Sequence, residues 1–115
     1  MSNPIATSAD DIGDVVVFAK VPERLEESER CRRYDRPLAA ALAESGVGAF
    51  LRGFSPVGGD GRIMWVGLEV RLHALADAAV FIECLQRLGA PPETIFEYET
   101  SWGGVQFSLA EATGN

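Results

Sequence analysis

The sequence predicts a single α+β domain in which two helices cover one face of an antiparallel sheet. Apolar residues recur at helical spacing in two segments, and in the other segments they alternate with polar residues or run together as in strands. Glycine and proline separate these segments. Their order is strand, helix, strand, strand, helix, strand, followed by one short strand. The length of 115 residues suits one domain with one core.

The first strand and the first helix occupy the N-terminal part of the domain. Residues 14–20 (DVVVFAK) are β-branched and almost continuously apolar, which predicts a strand that is buried on both faces or lies in the centre of a sheet. The next apolar residues have helical spacing, but Pro37 interrupts them. We therefore expect either a kink near Tyr34, or a short helical segment followed by a main helix at Arg36–Ser45. In the second case Asp35 is placed to cap the main helix.

Two further strands form a predicted hairpin. Residues 48–54 and 63–72 are strand-like, and the connection at 55–61 contains three glycines and a proline. In the second of these strands, valine and leucine alternate with residues that include Glu69 and Arg71. One face of this strand is therefore expected to enter the core, and the other to meet water or a partner.

The C-terminal part contains the second helix and two strands. Residues 75–88 carry the clearest helical stripe in the chain, and a glycine follows it. Residues 94–99 alternate, so that Glu97 and Glu99 share one side of a strand with Ile95. The alternation at 105–109 predicts a fifth strand at an edge of the sheet.

These elements predict a ferredoxin-like β-α-β-β-α-β sandwich. Right-handed crossovers place both helices on the same side of the sheet, so the opposite sheet face stays open. Residues 13–110 form the expected domain. Residues 1–12, which are small, polar and acidic, are expected to be a flexible leader, and residues 111–115 a flexible tail.

Composition and charge limit the classes of partner that the chain is expected to bind. The formal net charge of -7 opposes binding to nucleic acid and favours a basic protein partner. The chain contains no apolar run that would span a membrane and no secretory signal, so a cytoplasmic location is expected and no membrane partner is predicted. The only cysteines, Cys31 and Cys84, lack the spacing of a metal or redox motif and are expected to be free, buried thiols.

The sequence predicts no catalytic residue, no metal site and no cofactor. His73 has no second ligand or base near it in sequence, which favours a turn residue over a catalytic one. The glycines at 46–48 and 58–61 lack the spacing of a phosphate-binding loop. Glu97 and Glu99 favour a solvated acidic edge, which would also serve for docking, over a glycosidase pair. An enzyme is therefore disfavoured, although a site assembled from distant residues remains an alternative.

The predicted interface residues are two tryptophans and three charged residues. Tryptophan is enriched at binding hot spots, although Trp65 and Trp102 could instead fill the core. Trp65 has the opposite parity to the apolar residues of the following strand, so it is expected on the open sheet face. Glu97, Glu99 and Arg71 are assigned to the same interface.

Several stretches resemble small bacterial ferredoxin-like proteins, including immunity-type proteins that neutralise toxins. The stretches are 29–42 (ERCRRYDRPLAAAL), 46–48, Gly53 and 85–94 (LQRLGAPPET), and together the resemblance spans about two thirds of the chain. The resemblance implies the fold, and it suggests a non-catalytic protein-binding module acting as an acidic inhibitor. The sequence departs from the expected glycine-rich run after Gly53, so no family site residues are transferred.

Self-association is the alternative. A homodimer that packs its open sheet faces together would enclose a small ligand or an active site, and it would cover Trp65.

Overall fold

The computed structural model describes residues 14–114, which form one five-stranded antiparallel sheet with helices packed on it. The strands are β1 (Val15–Val21), β2 (Gly48–Phe54), β3 (Val66–Leu72), β4 (Ile95–Thr100) and β5 (Gly103–Ser108). Their order across the sheet is β2-β3-β1-β4-β5, and every neighbouring pair is antiparallel. The α+β class is thus confirmed. Of the two alternatives for β1, the central position is observed, whereas burial on both faces is not, because Val16 and Lys20 are exposed. The predicted leader lies outside the described residues.

Three helices accompany the sheet. Helix α1 covers residues 27–45, α2 is Ala78–Arg87 and α3 is Leu109–Thr113. A short 3₁₀ turn at Leu75–Asp77 leads into α2. None of the helices in the described part of the chain is long and apolar enough to cross a membrane.

Helix α1 passes through a π turn. It is α-helical at Glu27–Arg30 and Arg36–Ser45, and the π turn Cys31–Asp35 joins these segments. The Arg36 N–H donates to the Cys31 carbonyl, so the hydrogen-bond register changes just before Pro37. A proline has no N–H to donate, and the helix continues past it at this change of register.

Asp35 does not cap a helix, contrary to the expectation from sequence. Its backbone is helical and its side chain makes no capping bond. The Asp35 carboxylate instead accepts a hydrogen bond from Arg30 Nε at 3.1 Å, and both side chains are buried. The Arg30 guanidinium also donates to Ser55 Oγ at 3.1 Å. Gly53 lies directly against this pair, because an added Cβ would stand 2.6 Å from Asp35 Oδ1.

The hydrophobic core lies between the sheet and helices α1 and α2. Phe81 of α2 meets Phe96 of β4 edge-on, with ring centroids 5.4 Å apart, and both are fully buried. The other fully buried aliphatic and aromatic side chains are Val17, Ala19, Val21, Tyr34, Leu38, Leu42, Val66, Leu68, Val70, Leu72 and Leu85. Of the two free cysteines, Cys84 is buried as expected, and burial raises the pKa of its thiol, whereas Cys31 is only half-buried.

The chain ends differently from the sequence prediction. Residues 111–113, expected to belong to a flexible tail, form part of α3. Ser108 Oγ accepts from the Glu111 N–H, and the Glu111 carboxylate accepts from the Ser108 N–H. This reciprocal pair is a capping box, which supplies partners for N–H groups that a helix start leaves unpaired. Leu109 is buried beneath it and anchors the helix.

Candidate interaction face of the sheet

No helix of residues 14–114 packs on one face of the sheet, and we call this the open face. The alternation of β1 defines it, because Val17 and Ala19 are buried in the core while Phe18 and Lys20 point to the opposite side. Phe18 pairs with Glu69 of β3 and Glu97 of β4 in the sheet register. The described residues of the open face are Val16, Phe18, Lys20, Ala49, Arg52, Phe54, Trp65, Gly67, Glu69, Arg71, Ile95, Glu97, Glu99, Gly104, Gln106 and Ser108.

Three aromatic rings cluster at one end of the open face. The rings of Phe18 and Phe54 stack with centroids 5.6 Å apart and an interplanar angle of 18°. Trp65, just before β3, contacts both rings edge-on, with centroid distances of 6.0 Å. All three side chains are half-buried, so the rings present apolar surface to solvent. We call these residues the aromatic cluster.

Gly67 makes room for this cluster. A Cβ added at Gly67 would lie 2.6 Å from the Phe54 ring and 3.0 Å from the Phe18 ring. Real side chains do not approach so closely, so a larger residue would force the rings off the sheet. The glycine therefore lets both rings lie flat across β3.

Two cationic side chains border the aromatic cluster. Lys20 Nζ lies 4.9 Å from the centre of the Trp65 ring system, and the Arg52 guanidinium lies 5.3 Å from the Phe54 ring centre. Arg52 also forms an ion pair with Glu69, with Nε and Oε1 3.0 Å apart. The negative π faces of these rings thus already attract cations within the chain.

An acidic depression lies beside the aromatic cluster. It has a volume of about 630 Å³, and four carboxylates line it without any lysine or arginine. The lining residues are Asp14, Val15, Val16, Phe18, Glu69, Glu97, Tyr98, Glu99 and Ser101. His73 is not among them, but its Nδ1 lies 3.5 Å from Asp14 Oδ1 at the rim. Because Arg52 pairs with Glu69, the negative charge of the depression beside the aromatic surface comes mainly from Asp14, Glu97 and Glu99.

The structure brings together four of the five residues predicted for the interface. Trp65, Glu97, Glu99 and Arg71 lie on the open face, and the two glutamates line the acidic depression. Trp102 is separate from the aromatic cluster. It occupies the turn between β4 and β5 and is 96% exposed, so it does not fill the core.

The sequence patterns did not identify Phe18, Asp14 and Glu69, which connect the aromatic cluster and the acidic depression. Phe18 belongs to a strand in which both faces are apolar, so its neighbours on either side concealed the alternation. Asp14, just before β1, and Glu69 of β3 are distant in sequence but both line the depression. Lys20, a charged residue two positions after Phe18, was a signal that could have assigned Phe18 to the face opposite the core.

Within residues 14–114, no three histidine, cysteine or acidic side chains are grouped so that they could hold a metal ion. Comparison with protein-family models, with curated proteins and with solved structures gave no match to this chain.

Proposed function

We propose that this chain is a ferredoxin-like, non-catalytic module that binds a basic protein partner on its open face. The element order and the strand order β2-β3-β1-β4 support the fold assignment, since each crossover returns to a parallel strand two positions away. The acidic depression beside the aromatic cluster carries the functional proposal. Among the described residues, no lysine or arginine lines the depression, and Arg52 pairs with one of its four carboxylates, that of Glu69.

The two parts of the face suit different parts of a protein partner. Aromatic side chains bury a large apolar area at low entropic cost, so the aromatic cluster suits the dry centre of an interface. The acidic depression suits arginine or lysine side chains at the edge of the same interface. The net charge of -7 would also accelerate encounter with a positively charged protein.

The exposure of the carboxylates favours docking over catalysis. Glu97 and Glu99 are both exposed, and Glu97 accepts a hydrogen bond from Gln106 at 3.3 Å. General acid/base catalysis works best where water is excluded around the reacting group. An open, solvated surface instead favours ion pairing with a partner. An inhibitor that covers the basic active site of another enzyme would use such a face.

Affinity capture with charge-reversed baits tests the proposal. The double variant Glu97→Lys plus Glu99→Lys reverses the charge of the depression. The matched control, Glu44→Lys plus Glu83→Lys, makes the same change in net charge at exposed positions on α1 and α2. Each immobilised bait is incubated with lysate from the native host, and bound proteins are quantified by mass spectrometry.

The proposal predicts a basic protein that the wild type and the control retain and that the Glu97/Glu99 variant loses. Trp65→Ala should also weaken its binding, at unchanged net charge. Purified partner and isothermal titration calorimetry would then give the affinities. If no basic protein distinguishes the Glu97/Glu99 variant from its control, the open face is not a docking surface for a basic partner.

A further inference from the structure

We infer that this chain forms a homodimer through antiparallel pairing of β5 with β5 of a second copy. The β5 strand is an edge of the sheet, and no described residue pairs with its outer side. Its six residues carry no charge and no proline, and its register with β4 is unbroken. The β5 edge is separate from the aromatic cluster and from the residues that line the acidic depression, so the dimer does not depend on the proposed function.

The two edges of the sheet differ in how well they are protected from pairing with a strand of another chain. The β2 edge has a register shift between Phe50 and Arg52, and Arg52 places a charge there. Bulges and charges are the usual devices that prevent an edge strand from pairing with another chain. The β5 edge lacks both, so its backbone is free to pair.

The backbone geometry permits a two-fold register centred on Val105. The Leu109 N–H donates to the Thr94 carbonyl of the chain entering β4, so odd-numbered β5 residues direct their backbone groups inward. The backbone groups of Gly104, Gln106 and Ser108 then point outward. The Ser108 N–H is already bound by the Glu111 carboxylate. In this register Gly104 of each copy pairs with Gln106 of the other. The N–H and C=O groups of these residues then form four hydrogen bonds, two on either side of Val105.

This register places Trp102 opposite a hollow of the second copy. Trp102 stands in the turn immediately before Gly103, and Ser108 is the last residue of β5, so the two lie toward opposite ends of the strand from Val105. A two-fold axis at Val105 therefore brings the turn that carries Trp102 in one copy close to Ser108 of the other. Beside Ser108 is a mainly apolar hollow of about 480 Å³, lined by Pro92, Glu93, Ile95, Ser108 and Ala110.

The match is reciprocal, as a two-fold interface requires. An axis perpendicular to the sheet keeps the same sheet face uppermost in both copies. Ile95 and Ser108, which line the hollow, lie on the open-face side of β4 and β5, and the inferred dimer places the indole of Trp102 on that side as well. Trp102 of each copy, which is 96% exposed in the single chain, would then enter the hollow of the other copy. Two buried indoles and four hydrogen bonds make a small interface, so we expect a dissociation constant in the micromolar range.

Sedimentation velocity at roughly 1 to 500 µM tests the dimer. The wild type should shift from monomer to dimer, and Trp102→Ala should weaken dimerisation at least about tenfold. Gln106→Pro should abolish it, because proline removes an outward N–H while the hydrogen bonds to β4 stay intact. Gln106→Thr, which keeps that N–H, should dimerise like the wild type. Circular dichroism confirms that each variant is folded.

Fluorescence gives an independent readout of the indole. In Trp65→Phe, Trp102 is the one remaining tryptophan, and its emission should move to shorter wavelength as concentration rises through the dissociation constant. A wild type that stays monomeric at the highest concentration would overturn the inference. So would Gln106→Pro or Trp102→Ala variants that dimerise with wild-type affinity.

Discussion

Replacing Asp35 by alanine tests the buried ion pair inside the π turn. The Arg30 side chain is 8% exposed and that of Asp35 is 11% exposed, with Nε and Oδ2 3.1 Å apart. Alanine would leave the guanidinium buried without its counter-charge. Removing one partner of a buried pair costs about 3–5 kcal/mol. Domains of this size are stable by roughly 5–15 kcal/mol, so Asp35→Ala should remove a large part of the stability.

Thermal and urea unfolding measure this loss. At roughly 4 °C per kcal/mol, the Tm of Asp35→Ala should fall by about 12–20 °C. Unfolding is followed by tryptophan emission and by circular dichroism, whose agreement indicates a two-state transition. The change in the free energy of unfolding then follows from the urea midpoints.

Two controls separate the charge effect from lost packing. The double variant Arg30→Met plus Asp35→Leu removes both charges and retains apolar volume, so it should be more stable than Asp35→Ala alone. Arg52→Ala breaks the exposed pair with Glu69, in which the arginine side chain is 68% exposed, and should cost at most about 1 kcal/mol. A cost for Asp35→Ala as small as that of Arg52→Ala would refute the reasoning.

Three further changes have defined outcomes. Gly67→Ala should cost about 1–3 kcal/mol and alter tryptophan emission, because its Cβ would stand 2.6 Å from the Phe54 ring; unchanged emission would contradict the packing described. Ser108→Ala should cost about 1 kcal/mol in urea unfolding through loss of the α3 cap, and an unchanged midpoint would argue against the capping box. Burial raises the pKa of Tyr34 above its ordinary value of 10.0, so the folded state holds this proton more tightly and loses stability as pH rises above about 10. Absorbance titration should show one of the two tyrosines ionising only as the chain unfolds; full ionisation of both in the folded state would contradict this.

Local patterns in the sequence determined the identity and order of the main elements. The strand at 48–54 was predicted at its observed bounds, and the main helix at Arg36–Ser45 likewise. Gly46 ends that helix with a positive φ of 72°, as expected of a helix stop. The alternation of β4 also assigned Glu97 and Glu99 to one side before any tertiary contact was known. These features depend on neighbours a few residues apart, which a sequence displays directly.

Features that depend on two or more distant segments were decided by the tertiary structure alone. Asp35 could serve as a cap by local rules, but its carboxylate binds Arg30, whose guanidinium also binds Ser55 of a distant segment. The third strand begins at Val66 instead of residue 63, and Ile63 forms an isolated bridge with Val57. Flanking residues cannot specify these pairings, because they depend on loop geometry.

The candidate interaction face also combines features set by the local sequence with features set by the tertiary structure. The sequence by itself determined that Trp65 and the two β4 glutamates lie opposite the core side of their strands. The tertiary structure decided which side chains meet there, because β3, β1 and β4 become neighbours only in the assembled sheet. The alternation along a strand sets the side of the sheet to which a side chain points. The order of the strands sets which other side chains lie beside it, and that order depends on the whole chain.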